Sequence, residues 1–308
     1  MKQKEHKIAI VANMSAGKST FINAMFGDDI LPSYHHATTD CPLYIYSENK
    51  EHNHFAKVEF YGTKKSILLN GNEIKSELKK YAKKDSLVDD YRYKSVKQIE
   101  LHYPFYSLVN KKNSNSYFTI IDTSGSNNKD EYGERHSSTT KEIILNEADK
   151  LVYLFDYTQI DANLEVEKEN LWGLIQKRKE VDENFEVYFV INKIDKALED
   201  NRKLREVVAS KSEEEYLVAM KKNWFHHEKK AIEKIRTVAK KVGFYAPKIS
   251  CVSAEYQKLD RMETLSFDQE DNLERFQKIF KKLFENDWEQ RFDNYTRLES
   301  SCFIFFLQ

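Results

Sequence analysis

The chain has 308 residues, 40% of them hydrophobic, with 49 Lys and Arg against 50 Asp and Glu and a formal net charge of −1. It reads as a soluble globular protein with a sizeable core, and no overall basic field recruits nucleic acid or an anionic membrane. Cys41, Cys251 and Cys302 are too scattered for a disulfide or zinc pattern and suit a reducing cytosol, Met1–Lys7 lack the apolar core of a signal peptide, and no apolar run approaches a membrane span.

In chain order, the apolar run 7–11 predicts a strand. It feeds Ala12-Asn13-Met14-Ser15-Ala16-Gly17-Lys18-Ser19-Thr20, a tight loop opening a helix over 18–26. Further strands are expected at 43–47, 96–103, 117–121, 150–156, 186–191 and 248–252, with a hairpin of 55–61 and 65–69 around Gly62-Thr63. Helical patterns occupy roughly 73–84, 134–147, 163–179, 213–241 and 270–295. Trp224, Phe225, Ile232 and Ile235 form the expected buried stripe of the long helix. Strands alternating with helices predict an α/β P-loop fold: a mostly parallel central sheet with helices on both faces and an inserted hairpin. The expected division is one domain over 1–262, which carries the loop over 12–20, and a C-terminal helix with a short apolar tail over 263–308. The tail, Cys302-Phe303-Ile304-Phe305-Phe306-Leu307-Gln308, reads as a last strand or packed end, as a partner or membrane-surface contact, or as the scar of a truncated reading frame.

Four segments carry chemistry. A Gly-Lys-Ser loop at a helix start turns successive backbone N–H groups towards one point, which suits a phosphate. Lys18 would reach the β- and γ-phosphates and the Ser19 hydroxyl would bind Mg²⁺. Ala12 stands where the motif usually has Gly. The strand 117–121 ends in Asp122-Thr123-Ser124-Gly125, where Asp122 can hold a water ligand of Mg²⁺ and the Gly125 N–H can meet the γ-phosphate. The strand 186–191 ends in Asn192-Lys193-Ile194-Asp195. A carboxylate there accepts from both the ring N–H and the exocyclic amine of guanine, a donor pair that adenine lacks, so the wrong base leaves a buried carboxylate unpaired. Asn192 would tie this loop to the phosphate loop, and the Lys193 stem would cover the flat face of the base. In Ser253-Ala254-Glu255, small residues let the Ala254 N–H approach the guanine carbonyl. The four together, in order and each after an apolar strand, point to GTP and GDP. His35-His36 and His226-His227 are adjacent pairs whose rings diverge, so neither pair shares a metal, and the Lys pairs at 79–80, 83–84, 221–222 and 229–230 read as solvated helix faces.

At this point the sequence resembles the dynamin-like large GTPases, especially their bacterial members. The resemblance rests on Ser15–Thr20, Ile22-Asn23-Ala24-Met25-Phe26-Gly27, Ile30-Leu31-Pro32, Ala37-Thr38-Thr39-Asp40-Cys41-Pro42 and the strand Ser95–Pro104, and it covers roughly residues 7–256. It implies that Thr39, beside Thr38, is the switch threonine on Mg²⁺, and that Ser15 helps hold a monovalent cation, K⁺ or Na⁺, in place of an arginine finger. Met14 stands where animal members carry a water-positioning glutamine, and Ser126 where small GTPases carry theirs, so slow basal hydrolysis raised by G-domain dimerisation is expected. The alternative is a GTP-dependent switch that barely hydrolyses and acts by docking a partner. The catalytic set is thus Ser15, Lys18, Thr39 and Gly125, the metal set Ser19, Thr39 and Asp122, and Asn13, Met14, Ala16, Gly17, Thr20, Asn192, Lys193, Asp195, Ser253 and Ala254 complete the nucleotide contacts. The family's helices before the G domain and its stalk are expected to be absent. A nucleotide-dependent homodimer or a stalk-bearing dynamin-like partner is expected, with no nucleic acid, indirect membrane contact at most, and a location that is cytoplasmic or peripheral to a membrane.

Overall fold

The computed structural model describes residues 4–13, 15–32, 41–47, 54–82, 96–105, 116–123, 133–166, 170–201 and 212–296. Within them lie nine strands: β1 (Lys4–Ala12), β2 (Leu43–Ser47), β3 (Phe55–Phe60), β4 (Ser66–Asn70), β5 (Val96–Tyr103), β6 (Ser116–Asp122), β7 (Lys150–Asp156), β8 (Glu186–Asn192) and β9 (Lys248–Cys251). The helices are α1 (Lys18–Phe26), α2 (Glu73–Ala82), α3 (Gly133–Glu142, continued by a π turn over Ile143–Glu147), α4 (Leu171–Val181), α5 (Glu213–Lys241), α6 (Ala254–Arg261), α7 (Phe267–Phe284) and α8 (Trp288–Thr296).

The strands form one sheet in the order β4-β3-β5-β2-β6-β1-β7-β8-β9. The run β6-β1-β7-β8-β9 is parallel throughout, β2 and β5 are parallel to each other, and β2 turns antiparallel against β6. The hairpin β3–β4 adds the antiparallel edge, as its two short apolar runs around Gly62 predict. Alternation along β1 supplies both faces of the sheet. Ile8, Ile10 and Ala12 join α1's Phe21, Ile22 and Met25 in one buried cluster. Ala9 and Val11 join Trp172 and Ile175 of α4 and Trp224 and Ile235 of α5 in the other. Covered on both faces, β7 and β8 are apolar almost continuously, as buried parallel strands must be. The stripe of α5 is as its periodicity predicts: Trp224 and Ile235 are fully buried, and Phe225 and Ile232 pack against the same cluster.

Two local devices fix α1. The fully buried Asn23 side chain donates to the Leu31 carbonyl (2.7 Å) and accepts from the Leu31 N–H (2.8 Å), which sets the Ile30-Leu31-Pro32 turn. The Arg261 guanidinium at the end of α6 donates to the Ala24 carbonyl (2.8 Å), and Lys258 pairs with Asp29 (3.0 Å). Both cations are buried, so the helix after the phosphate loop and the helix after Ser253 are held as a pair.

The C-terminal part corrects the expectation of one helix over 270–295 lying on the sheet. The chain breaks at Glu285–Asp287, where Glu285 takes φ 47°. The break lets α8 fold back so that Phe292 meets Phe276 and Phe280 (centroids 6.1 and 6.0 Å), and the pair packs chiefly on α5 and α6. The helix predicted over 163–179 starts later: α4 begins at Leu171, after a 3-10 turn over Tyr157–Asn163. The Asn170 side chain caps α4 by accepting from Gly173 N–H (3.1 Å).

Candidate functional site: a nucleotide cradle at the strand ends

Parallel strands present their C-terminal ends at one edge, where α/β sheets bind ligands. Here β1, β6, β8 and β9 end in Ala12, Asp122, Asn192 and Cys251. The register Ile10↔Asp122, Ala12↔Leu154, Asp156↔Asn192 and Ile191↔Cys251 brings those ends level. The four segments singled out in the sequence therefore converge.

The phosphate loop leaves β1 through a turn in which Ala16 N–H reaches the Asn13 carbonyl (3.3 Å). Ser15 (φ 66°) and Gly17 (φ 83°) both take left-handed backbone, and Gly17 is the N-cap of α1 with no side chain to cap the first amides. An uncapped helix start that points at an open loop is built for an anion. Gly17 is required for a second reason. A Cβ there would stand 2.6 Å from Asn192 Nδ2. Ser19 is buried on the first turn, and Thr20 is half-buried beside it. Asn13 Nδ2 donates to the Tyr153 hydroxyl (3.4 Å), whose pKa burial pushes well above its ordinary value.

Lys18 Nζ donates to Asp122 Oδ1 and to the Thr123 carbonyl. Asp122 is fully buried at the end of β6, and Thr123 Oγ1 donates to the Ile10 carbonyl (2.9 Å), locking that strand end to β1. The cation expected on phosphate and the carboxylate expected beside Mg²⁺ are therefore neighbours. Met14, Thr38, Thr39, Gly125 and Ser126 lie outside the described residues.

At the other end of the cradle, Asn192 bridges three segments. Its Nδ2 donates to the Ala16 carbonyl (2.9 Å), and its Oδ1 accepts from Ala254 N–H (3.0 Å). The Ala254 amide, expected to face a guanine carbonyl, thus already has Asn192 as a partner. Lys193 (φ 61°) sends its ammonium to the Ser15 carbonyl (2.6 Å) and to Asp156 Oδ2 (2.6 Å), so its stem runs back over the phosphate loop. Ser253 Oγ donates to Asp195 Oδ1 (2.6 Å), a short charge-assisted bond that fixes the carboxylate's rotation.

Sequence reasoning missed Asp156. Only 2% exposed at the end of β7, it also accepts from Thr158 N–H (2.8 Å) and Thr158 Oγ1 (2.6 Å). The signal was present: an Asp closing an apolar strand, with Thr two places on, in the strand next to the one that ends in Asn192-Lys193. Among the described residues no cluster of three or more His, Cys, Asp or Glu could hold a metal by itself. Oxygen donors at Ser19 and Asp122 suit a cation shared with phosphate instead.

A sequence model of the dynamin family matches residues 8–194, more than half of the chain and from the first strand through Asn192-Lys193. The chain belongs to the dynamin family. No curated protein matches this dynamin-family sequence. Among solved structures, a chain of an oligomerised bacterial dynamin pair, described as sensing and tethering membranes, is 17% identical with TM-score 0.46 over 96% of this chain and 40% of its own. Aquifex aeolicus Era bound to GDP and AlF4⁻ is 18% identical with TM-score 0.38 over 82% of this chain and 52% of its own. This dynamin-family chain thus spans about half the length, or less, of those solved chains. The family and the strand order together make the architecture an α/β P-loop GTPase fold. No described helix is long and apolar enough to cross a membrane.

Proposed function

We propose that this chain binds a guanine nucleotide with Mg²⁺ in the cradle and hydrolyses GTP to GDP and phosphate. The observation that carries the reading is Asn192, whose amide joins the phosphate loop at Ala16 to the Ser253-Ala254 loop at 2.9 and 3.0 Å, because it makes the phosphate end and the base end one rigid unit. The residues fit the ligand: the uncapped α1 start and the Gly17 approach leave backbone rather than side chain facing the phosphates. When bound, Mg²⁺ supplies charge neutralisation between the phosphate oxygens, and Ser19, Asp122 and Thr39 would hold it.

The chain's own residues do the rest. Lys18 must leave Asp122 and the Thr123 carbonyl and turn to the β- and γ-phosphates, which frees the carboxylate in the same movement. The Gly17 amide and the Lys18 ammonium then face the charge that develops as a water attacks, with the Gly125 N–H as a further donor and Ser15 helping to hold the expected K⁺ or Na⁺. Asp195, oriented by Ser253, accepts from the guanine N1–H and 2-amino group, and Lys193, anchored by Asp156, screens the base. Met14 and Ser126 supply no amide or carboxyl to orient the water, so the basal rate is slow and G-domain dimerisation raises it.

Single-turnover hydrolysis at rising protein concentration, with K⁺ or a large organic cation as the salt, tests this. Phosphate release that grows with concentration and K⁺ is expected. No release under any condition would leave a nucleotide switch in place of an enzyme.

A further inference from the structure

The loop that fixes Asp195 is pinned from two sides. On one side Ala254 N–H is held by Asn192. On the other, Ser253 N–H donates to the backbone carbonyl of Tyr295 in α8 at 2.9 Å. Tyr295 is itself immobilised. It is 5% exposed, its hydroxyl accepts from the Trp224 indole N–H of α5 (3.0 Å), and its ring meets Trp224 edge-on (5.2 Å) and Phe280 (6.0 Å). An unbroken path therefore runs from α5 through Tyr295 and Ser253 to the carboxylate proposed to read the base.

We infer that Tyr295 is a positioning residue for guanine recognition, acting through Ser253 to hold the Asp195 carboxylate in register with the base. The inference rests on the proposed guanine reading. Its physical basis is that a carboxylate accepting two bonds at once tolerates little rotation. Ser253 Oγ fixes that rotation only if the Ser253 backbone stays put. The Ser253 carbonyl accepts from Gln257 N–H (3.0 Å) within α6, so the Tyr295 carbonyl is the contact that ties the Ser253 N–H to α8. Removing the Tyr295 hydroxyl leaves the buried Trp224 N–H without its acceptor, so α8 shifts and its carbonyl moves with it.

The test is the ratio of GDP to IDP dissociation constants. IDP lacks the 2-amino group and so reports on one of the two bonds to Asp195. Tyr295→Phe is expected to lower the wild-type preference for GDP roughly three- to tenfold, about the worth of one weakened hydrogen bond. Trp224→Phe, which removes the same bond from the other side, is expected to do likewise should Tyr295→Phe not fold. Ser253→Ala lowers the ratio too, and the double variant Tyr295→Phe/Ser253→Ala lowers it no further than the larger single change, because the two act in series. A purely structural α8 would lower Tm and weaken GDP and IDP together with the ratio unmoved. A wild-type preference that both aromatic variants preserve, or additive effects in the double variant, overturns the inference alone. A wild-type chain with no preference for GDP over IDP overturns the guanine reading and the inference with it.

Discussion

Gly17→Ala separates backbone strain from site geometry. Gly17 has φ 83°, and a Cβ there stands 2.6 Å from Asn192 Nδ2 and 3.7 Å from Lys193 Cε. Gly62, in the β3–β4 hairpin, has nearly the same backbone at φ 69° but nothing within 4 Å of its Cβ position. Left-handed backbone costs an L-residue about 1–2 kcal/mol, so Gly62→Ala should lose about that much stability and leave nucleotide affinity alone. Gly17→Ala carries the same strain and must also displace the Asn192 amide. That gives up the bonds to the Ala16 carbonyl and from Ala254 N–H, at about 0.5–1.5 kcal/mol each. The expected loss is therefore about 2–5 kcal/mol, with GDP affinity down at least about tenfold, since both ends of the cradle move. Urea unfolding of the two variants and a fluorescent-GDP titration measure both quantities. If Gly17→Ala behaves like Gly62→Ala in both assays, Asn192 is not the bridge described above.

Other consequences are equally direct. Lys18→Ala should weaken GDP binding at least about 100-fold, the loss of two strong charge-assisted contacts, while the fold survives; normal affinity by calorimetry would refute the phosphate-loop assignment. Asp195→Asn should shift preference from GTP towards xanthosine triphosphate, because the amide supplies the donor that xanthine's added carbonyl accepts; an unchanged preference in competition binding contradicts the base-reading role. Burial, opposed by the Tyr295 bond and by Arg291, raises the Glu228 pKa. A folded state that holds this proton more tightly than the unfolded chain loses stability as pH rises from about 4, the ordinary Glu value, through the raised folded value. Glu228→Gln should flatten that part of the profile and be relatively more stable above it; parallel urea profiles for the two proteins between about pH 4 and pH 8 would show that the carboxyl is not strained.

What the sequence makes legible is local. Apolar runs of β1, β6 and β8 end where their polar motifs begin, because a buried parallel strand needs continuous apolar residues and its ligand groups come only after it. Hence Lys18, Asp122, Asn192, Lys193, Asp195, Ser253 and Ala254 lie together as their positions after strands require. The misses are contacts between distant segments. Asp156 needs Lys193, and Ser253 needs Tyr295, pairings set by strand order and helix docking rather than by spacing. The break at Glu285 had a weak signal in Asn286-Asp287, a pair that favours turns, inside the helical pattern read over 270–295; Phe276, Phe280 and Phe284, four residues apart, mark one face of the helix before it. The aromatics serve as the seat on which α8 folds back.

The central claim is that four separated loops make one guanine-selective cradle. Calorimetric titration of the purified chain with GDP and with ADP in magnesium buffer measures it most directly. The account predicts a single GDP site and ADP binding at least about 100-fold weaker, since adenine leaves the Asp195 carboxylate without its two donors. Equal affinity for the two nucleotides, or no heat with either, would contradict it.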